Sequence, residues 1–187
     1  AIFLDRDGTI NEEVGYIDSP DKLVIFPSTF EAVRLINQSG FKAIVVTNQA
    51  GVARGLFGED LVQKIHAALR EALRQKAALI DAFYYCPHHP TEGSPPYRRS
   101  CDCRKPAPGL FLQAARELNL DLSASWMIGD RRTDVEFGHN SGMKTILLLS
   151  GEGAREMLDG LDGWPVRPDY VAENLLTAAK LIQMLEQ

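Results

Sequence analysis

The sequence predicts a three-layer α/β/α, Rossmann-like fold around a mostly parallel sheet, and three observations carry that prediction. Short apolar runs of strand length recur along the chain, and segments with helical spacing separate them. The runs are continuously apolar, as strands buried on both faces are. Strand and helix in alternation call for right-handed crossovers that cover both faces of one sheet. With 187 residues and 45% hydrophobic content the chain can bury a sizeable core, so one domain over residues 1–187 is expected.

The first strand is Ile2 to Leu4, and it breaks off into "DRDGT", two carboxylates around an arginine. Asp-Gly often opens a hairpin, but the "NEEVGYIDSPDK" that follows is polar and turn-rich and offers no returning strand. Ser28 with Glu31 reads as a capping box opening a helix that closes near Gly40. Ala43 to Val46 is the second strand, Glu59 to Ala77 the second helix and Ala82 to Tyr85 the third strand. A long irregular segment, "CPHHPTEGSPPYRRSCDCRKPAP", comes next, and its length marks it as functional or pinned. Beyond it lie helix Pro108 to Leu118, strand Trp126 to Ile128, helix Asp134 to Asn140, strand Ile146 to Leu149, strand Tyr170 to Val171 and helix Asn174 to Leu185. The sequence shows neither an internal repeat nor a low-complexity tract.

A net charge of −5 argues against nucleic acid or an anionic membrane as partner, because either demands a basic face. Any anion site must therefore be locally basic. No apolar run approaches the roughly 20 residues of a membrane span, no charged-then-apolar leader is seen, and a cytoplasmic protein is expected. Because a strand starts almost at Ala1, a few residues are expected to precede it in the native chain.

In a parallel sheet of this kind ligands collect beyond the carboxyl ends of the strands. Asp5, Thr47, Asn48 and Asp130 follow three strands there, and Lys105 precedes the helix that feeds the strand before Asp130. Acids, a hydroxyl and an ammonium make sense together around a phosphate monoester. Asp5 and Asp130 would hold Mg²⁺, which accepts one or two carboxylates with a phosphate oxygen and waters. Asp5 could then attack phosphorus, with Thr47 and Lys105 gripping the transferring oxygens. Asp7, two residues on along extended backbone, lies on the same side as Asp5 and suits a general acid and base.

Cys86, His88, Cys101 and Cys103 form two tight pairs joined by a loop, the pattern of a closed, structural zinc set. His89 competes for the histidine position, and the Cys-x-His offset favours His88. A Cys101–Cys103 disulfide and plain buried thiols are the alternatives. Bound zinc would give order to a Pro-rich segment with almost nothing apolar to fold around.

"DRDGT" (5 to 9), "VVTNQ" (45 to 49), "CRKPAPG" (103 to 109) and "IGDRRTD" (128 to 134) resemble, in order and spacing, the four motifs of haloacid-dehalogenase-like phosphatases. The resemblance spans nearly the whole chain. It implies Asp5 as nucleophile, Asp7 as acid and base and a carbonyl ligand of Mg²⁺, Thr47 and Lys105 on the phosphate, and Asp130 on the metal. Asp134 is either a supporting group or an acid at a helix N-terminus. With the zinc loop at 86–103, the chain is most similar to the D,D-heptose 1,7-bisphosphate phosphatases and the related histidinol-phosphate phosphatases. Both lack a large cap, and the segment from Asn11 to Pro27 is too short to be one. The resemblance implies a monomer whose small phosphosugar substrate meets Arg6, a flap of Glu13, Val14, Gly15 and Tyr16, and Thr47, Asn48 and Gln49.

A sugar bisphosphate brings a second dianion and needs extra cations, and Arg54, Arg104 and Arg131 all fall in loops near the rim, whereas Arg132 reads as a surface charge. Glu12 and Glu13 could instead meet the amine of histidinol phosphate. The cations outweigh them, and removal of the C7 phosphate of the heptose bisphosphate is the expected activity.

Overall fold

The computed structural model describes residues 1–186. Six strands form one sheet: β1 (Ile2–Leu4), β2 (Ala43–Asn48), β3 (Ala82–Cys86), β4 (Trp126–Gly129), β5 (Lys144–Leu148) and β6 (Tyr170–Ala172). Their order is β3-β2-β1-β4-β5-β6, and every pairing is parallel. The chain moves outward from β1 to β3 and then returns to the far side of β1. The direction of winding therefore reverses at β1, where an open α/β sheet leaves a crevice.

Helices cover both faces. Ile2, Leu4, Val45 and Ile128 pack with Ala32, Val33 and Ile36 of α1 (Pro27–Gln38), with Leu69 and Leu73 of α2 (Glu59–Arg74), and with Ala178 and Ile182 of α6 (Leu175–Leu185). Phe3, Ile44, Val46 and Met127 point the other way, against Leu110, Phe111 and Ala114 of α3 (Gly109–Leu118) and Phe137 of α4 (Arg132–His139). Neighbours along one strand thus feed opposite layers, and their apolar runs are continuous because both faces are buried.

Several boundaries differ from the sequence reading. α1 starts at Pro27 with Phe26 as its N-cap, so Ser28 lies inside the helix and no Ser28–Glu31 capping box forms. Proline at the first position has its φ set for a helix and lacks only an N–H that would have no partner there. Docking fixes the entry as well: Phe26 N–H and Thr29 Oγ1 both bond the Ile10 carbonyl. α2 ends at Arg74, short of Ala77, whose positive φ lies outside a helix. α4 begins at Arg132, two residues before Asp134. A short α5 (Gly153–Leu158) was not anticipated, its six residues being too few to show a period. Between β1 and α1 the described residues hold a 3₁₀ turn, Pro20–Lys22, and isolated bridges of Asn11 with Asp7 and Ile25, in keeping with the expectation of no large cap.

Register places the site. Leu4 pairs with Val45 and with Ile128, so Asp5, Thr47 and Asp130 all lie one or two residues past a common level. Asn48 pairs with Cys86, which starts the cysteine loop at the same rim.

Candidate active site

A cleft of about 580 Å³ opens over the carboxyl end of β1. Asp5, Arg6 and Asp7 line it from β1, and Thr47, Asn48 and Gln49 from the end of β2. Glu13, Gly15 and Tyr16 form one wall, while Arg54, Arg104, Lys105 and Arg131 complete it. Val14, also expected in the flap, is exposed at 45% and lies outside this lining. Ile17, Ala50, Gly51, Pro106 and Thr133 also line the cleft. Sequence reasoning missed these because small and apolar residues carry no chemical mark.

Asp130 is fully buried, and carboxylate oxygens of Asp5, Asp130 and Asp134 lie within 4.8 Å of one another. Gly8 makes this approach possible: its φ is +82°, and a Cβ there would collide with the Asp130 carboxylate. Lys105 Nζ donates to the Val46 carbonyl at 2.8 Å and to Asp134 Oδ1 at 2.6 Å, and pairs with Asp5 Oδ1 at 2.9 Å. An ammonium has three protons, and these three acceptors match them. Burial works to lower the Lys105 pKa, but Asp134 and Asp5 outweigh it and hold it above the usual value.

Three carboxylates against one ammonium leave two negative charges in a closed space. Burial, with the charge of neighbouring carboxylates, pushes Asp130 up to about 8, and burial likewise pushes Asp5 up to about 6 against the pull of Lys105. A divalent cation would remove that penalty, and an all-oxygen donor set is the one magnesium prefers. The residues present fit the ion.

Asp7 is built differently. Arg6 Nε and Nη2 grip its two oxygens at 3.0 and 2.8 Å, and the side-chain amides of Asn11 and Gln49 donate to it, each at 2.9 Å. Burial would raise its pKa, yet these partners hold the carboxyl below the usual range. The Arg6 guanidinium is therefore turned onto Asp7, while Arg6, expected to meet substrate, remains part of the cleft lining. Gln49 also donates to Thr47 Oγ1 at 2.9 Å, which joins the acid to the second-motif hydroxyl. Asn48 forms a reciprocal pair with the Lys105 backbone at 3.0 and 3.1 Å, fixing β2 to the lysine loop. Asp134, for which two roles were open, fills both: it accepts the Arg131 N–H at 3.1 Å as a helix cap and holds Lys105.

At the mouth, Arg131 Nη2 pairs with Glu13 Oε2 at 2.9 Å, and Arg54 pairs with Glu92 at 2.6 Å while lying over the Tyr16 ring. Arg104 Nη1 donates to the His88 carbonyl. The cysteine loop itself is compact: Cys86, Cys101 and Cys103 Sγ atoms stand 3.3 to 3.6 Å apart, with His88 Nδ1 3.3 Å from Cys103. Tetrahedral zinc–sulfur bonds imply edges of about 3.8 Å, and these donors approach that arrangement. The three cysteines are free thiols, so the disulfide alternative is not formed. His89 Nδ1 instead accepts the Glu92 N–H, which removes it as a ligand. Glu59 at the start of α2 accepts the hydroxyls of Tyr85 and Tyr97, pinning the loop's far side, a contact between distant residues that no spacing announced.

Fold and site together define a haloacid-dehalogenase-like hydrolase. The family model described as HAD-hyrolase-like matches residues 102–178. A D-glycero-beta-D-manno-heptose-1,7-bisphosphate 7-phosphatase of Pasteurella multocida is 40% identical over 187 residues, covering 100% of this chain and 98% of the relative. A D-glycero-D-manno-heptose-1,7-bisphosphate 7-phosphatase of Chlorobaculum tepidum is 38% identical, covering 95% and 91%. The crystal structure of D,D-heptose 1,7-bisphosphate phosphatase from B. bronchiseptica, complexed with magnesium and phosphate, superposes with a TM-score of 0.86 at 32% identity, covering 98% of each chain. The chain belongs to this family of heptose-bisphosphate phosphatases within the haloacid-dehalogenase-like hydrolases.

Proposed function

We propose that the protein removes the C7 phosphate of D-glycero-D-manno-heptose 1,7-bisphosphate by way of a phosphorylated Asp5. One observation carries this reading: a buried carboxylate–lysine cluster at the cleft floor and arginines at its mouth give two anion-binding ends, as a bisphosphate requires. Relatives named for this activity cover the whole chain.

Asp5, ionised and oriented by Lys105 and by the Arg6 N–H, attacks phosphorus; the P–O bond to C7 breaks, and the alkoxide takes a proton from Asp7. Asp7 is ionised while the cleft lacks substrate; an arriving phosphate dianion raises its proton affinity by charge repulsion, so that it takes up one proton from solvent as substrate binds. In the second half Asp7 takes a proton from water, the water oxygen joins phosphorus, and the bond to Asp5 breaks to release phosphate. Thr47 Oγ1 lines the cleft as a donor for the developing charge, and the Lys105 ammonium, its protons shared with Val46, Asp134 and Asp5, would act through its positive charge. Magnesium, held by Asp5, Asp130 and the Asp7 carbonyl, would shield the two anions from each other when bound.

Cys86, His88, Cys101 and Cys103 would hold zinc, with no ligand position left for substrate; its role is to fix the loop that carries Arg104 and Lys105. Of the two candidate amine partners for histidinol phosphate, Glu13 is paired with Arg131 and Glu12 lies outside the cleft lining, which disfavours that substrate. The test is a rate comparison: with Mg²⁺, kcat/KM for the heptose bisphosphate should exceed that for histidinol phosphate by about 10²-fold or more, on the scale of a lost charged contact. Equal or reversed rates would overturn the substrate assignment.

A further inference from the structure

We propose that the turn Ser150–Gly151–Glu152, which leads from β5 into α5, positions the Asp130 carboxylate for the divalent cation, with Gly151 as a positioning residue. The proposal rests on the magnesium reading above. Observations on both sides of Asp130 converge on it. The Glu152 backbone N–H donates to Asp130 Oδ2 at 2.9 Å. Ser150 Oγ donates to the Gly8 carbonyl at 2.7 Å and so ties the turn to the loop that carries Asp5 and Asp7. Thr9 of that same loop reaches Asp130 Oδ1 at 3.4 Å, a long contact that places more than it stabilises.

The glycine adds the decisive geometry. Gly151 has φ +55°, and a Cβ there would collide with Asp130 Oδ2 and with the Cα of Gly8. The carboxylate is thus clasped between two glycines from segments some 140 residues apart, Gly8 on one side and Gly151 on the other. Two protein donors occupy part of an acceptor set of about four lone-pair positions, and the rest stay free for a cation. The group's direction is set by walls and by one backbone N–H rather than by a charged side-chain partner. Groups that orient a ligand from behind tune metal affinity almost as strongly as the ligands do.

Mn²⁺ alone is the probe, since it prefers oxygen donors and leaves the cysteine cluster aside, and its free fraction is read by electron paramagnetic resonance. Gly142 supplies the control. Its φ is +70°, yet nothing lies within 4 Å of a Cβ built there, so Gly142→Ala carries backbone strain without the collision. Gly151→Ala should weaken Mn²⁺ binding by about tenfold or more, and Ser150→Ala by a few-fold, whereas Gly142→Ala lowers the thermal midpoint and binds like wild type. Gly151→Ala binding Mn²⁺ as tightly as Gly142→Ala overturns the proposal. Should Gly151→Ala fail to fold, unchanged binding by Ser150→Ala overturns it equally. A wild-type protein that takes up no Mn²⁺ overturns the magnesium reading and the proposal together, which separates the two failures.

Discussion

Among the described residues two clusters are fit for metal, and they are assembled in opposite ways. Cys86, His88, Cys101 and Cys103 come from 18 consecutive residues and fold around one another. Asp5 lies about 125 residues before Asp130 and Asp134 in the chain, and the three meet only because β1 and β4 pair in a fixed register. The first cluster stands in for a hydrophobic core in a loop rich in proline and polar residues; the second needs the core already formed. The first should therefore govern stability and the second chemistry.

Asp5→Asn is the sharpest way to break that division. Removing the proposed nucleophile should cut phosphate release by about 10⁴-fold or more while the far-ultraviolet circular dichroism stays native. Retained turnover would exclude Asp5 as the attacking group.

Cys101→Ser tests the other cluster. Elemental analysis should give about one zinc per wild-type chain and none in the variant, and the thermal midpoint should drop by about 10 °C, the scale of about 3 kcal/mol in a chain of this size. A variant that melts like wild type would show that the loop stands without metal.

A smaller effect comes from pH. In metal-free protein Asp130 is pushed up to about 8 and Asp5 to about 6, while burial lowers His66, stacked on Phe83, to about 3. Between pH 6.5 and 8 the unfolded chain sheds the remaining charge of His66 and the folded protein the remaining proton of Asp5, two small changes of opposite sign, so Asp130 dominates among these three. Its folded form holds a proton that the unfolded chain has already lost, so stability falls as pH rises from 6.5 to 8, by an amount on the order of 1–2 kcal/mol. Mg²⁺ should flatten the slope, because the cation favours the ionised carboxylate. Denaturant midpoints at both pH values, with and without Mg²⁺, measure it; a rise with pH in metal-free protein would contradict the burial of Asp130.

The smallest change is Glu13→Gln, which frees the Arg131 guanidinium from a partly exposed pair. KM for the bisphosphate should fall by about two- to fivefold with kcat unchanged, within the range of such pairs. A rise in KM would make Glu13 a substrate contact instead.

What could be read in advance follows the same contrast. The cysteine set was legible because its spacing is local, and the strands because runs buried on both faces announce themselves. The acids after the strands were legible as a set, since a parallel sheet brings its carboxyl ends to one rim. The Ser28 capping box did not form, because the docking of Phe26 and Thr29 on Ile10 decides where α1 begins.

By itself, then, the sequence determined the alternation of strand and helix, the acids, hydroxyl and lysine at the rim, and the ligand spacing of the loop. Each depends on neighbours close along the chain or on a period of two or 3.6. Only the tertiary structure decided that Arg6 and Gln49 serve Asp7, that Lys105 is shared between Asp5 and Asp134, that Glu13 covers Arg131, and that two distant glycines clasp Asp130. The physical reason is that side-chain partners and close backbone approaches are set by sheet register and buried charge, which act through space between residues that no spacing rule connects.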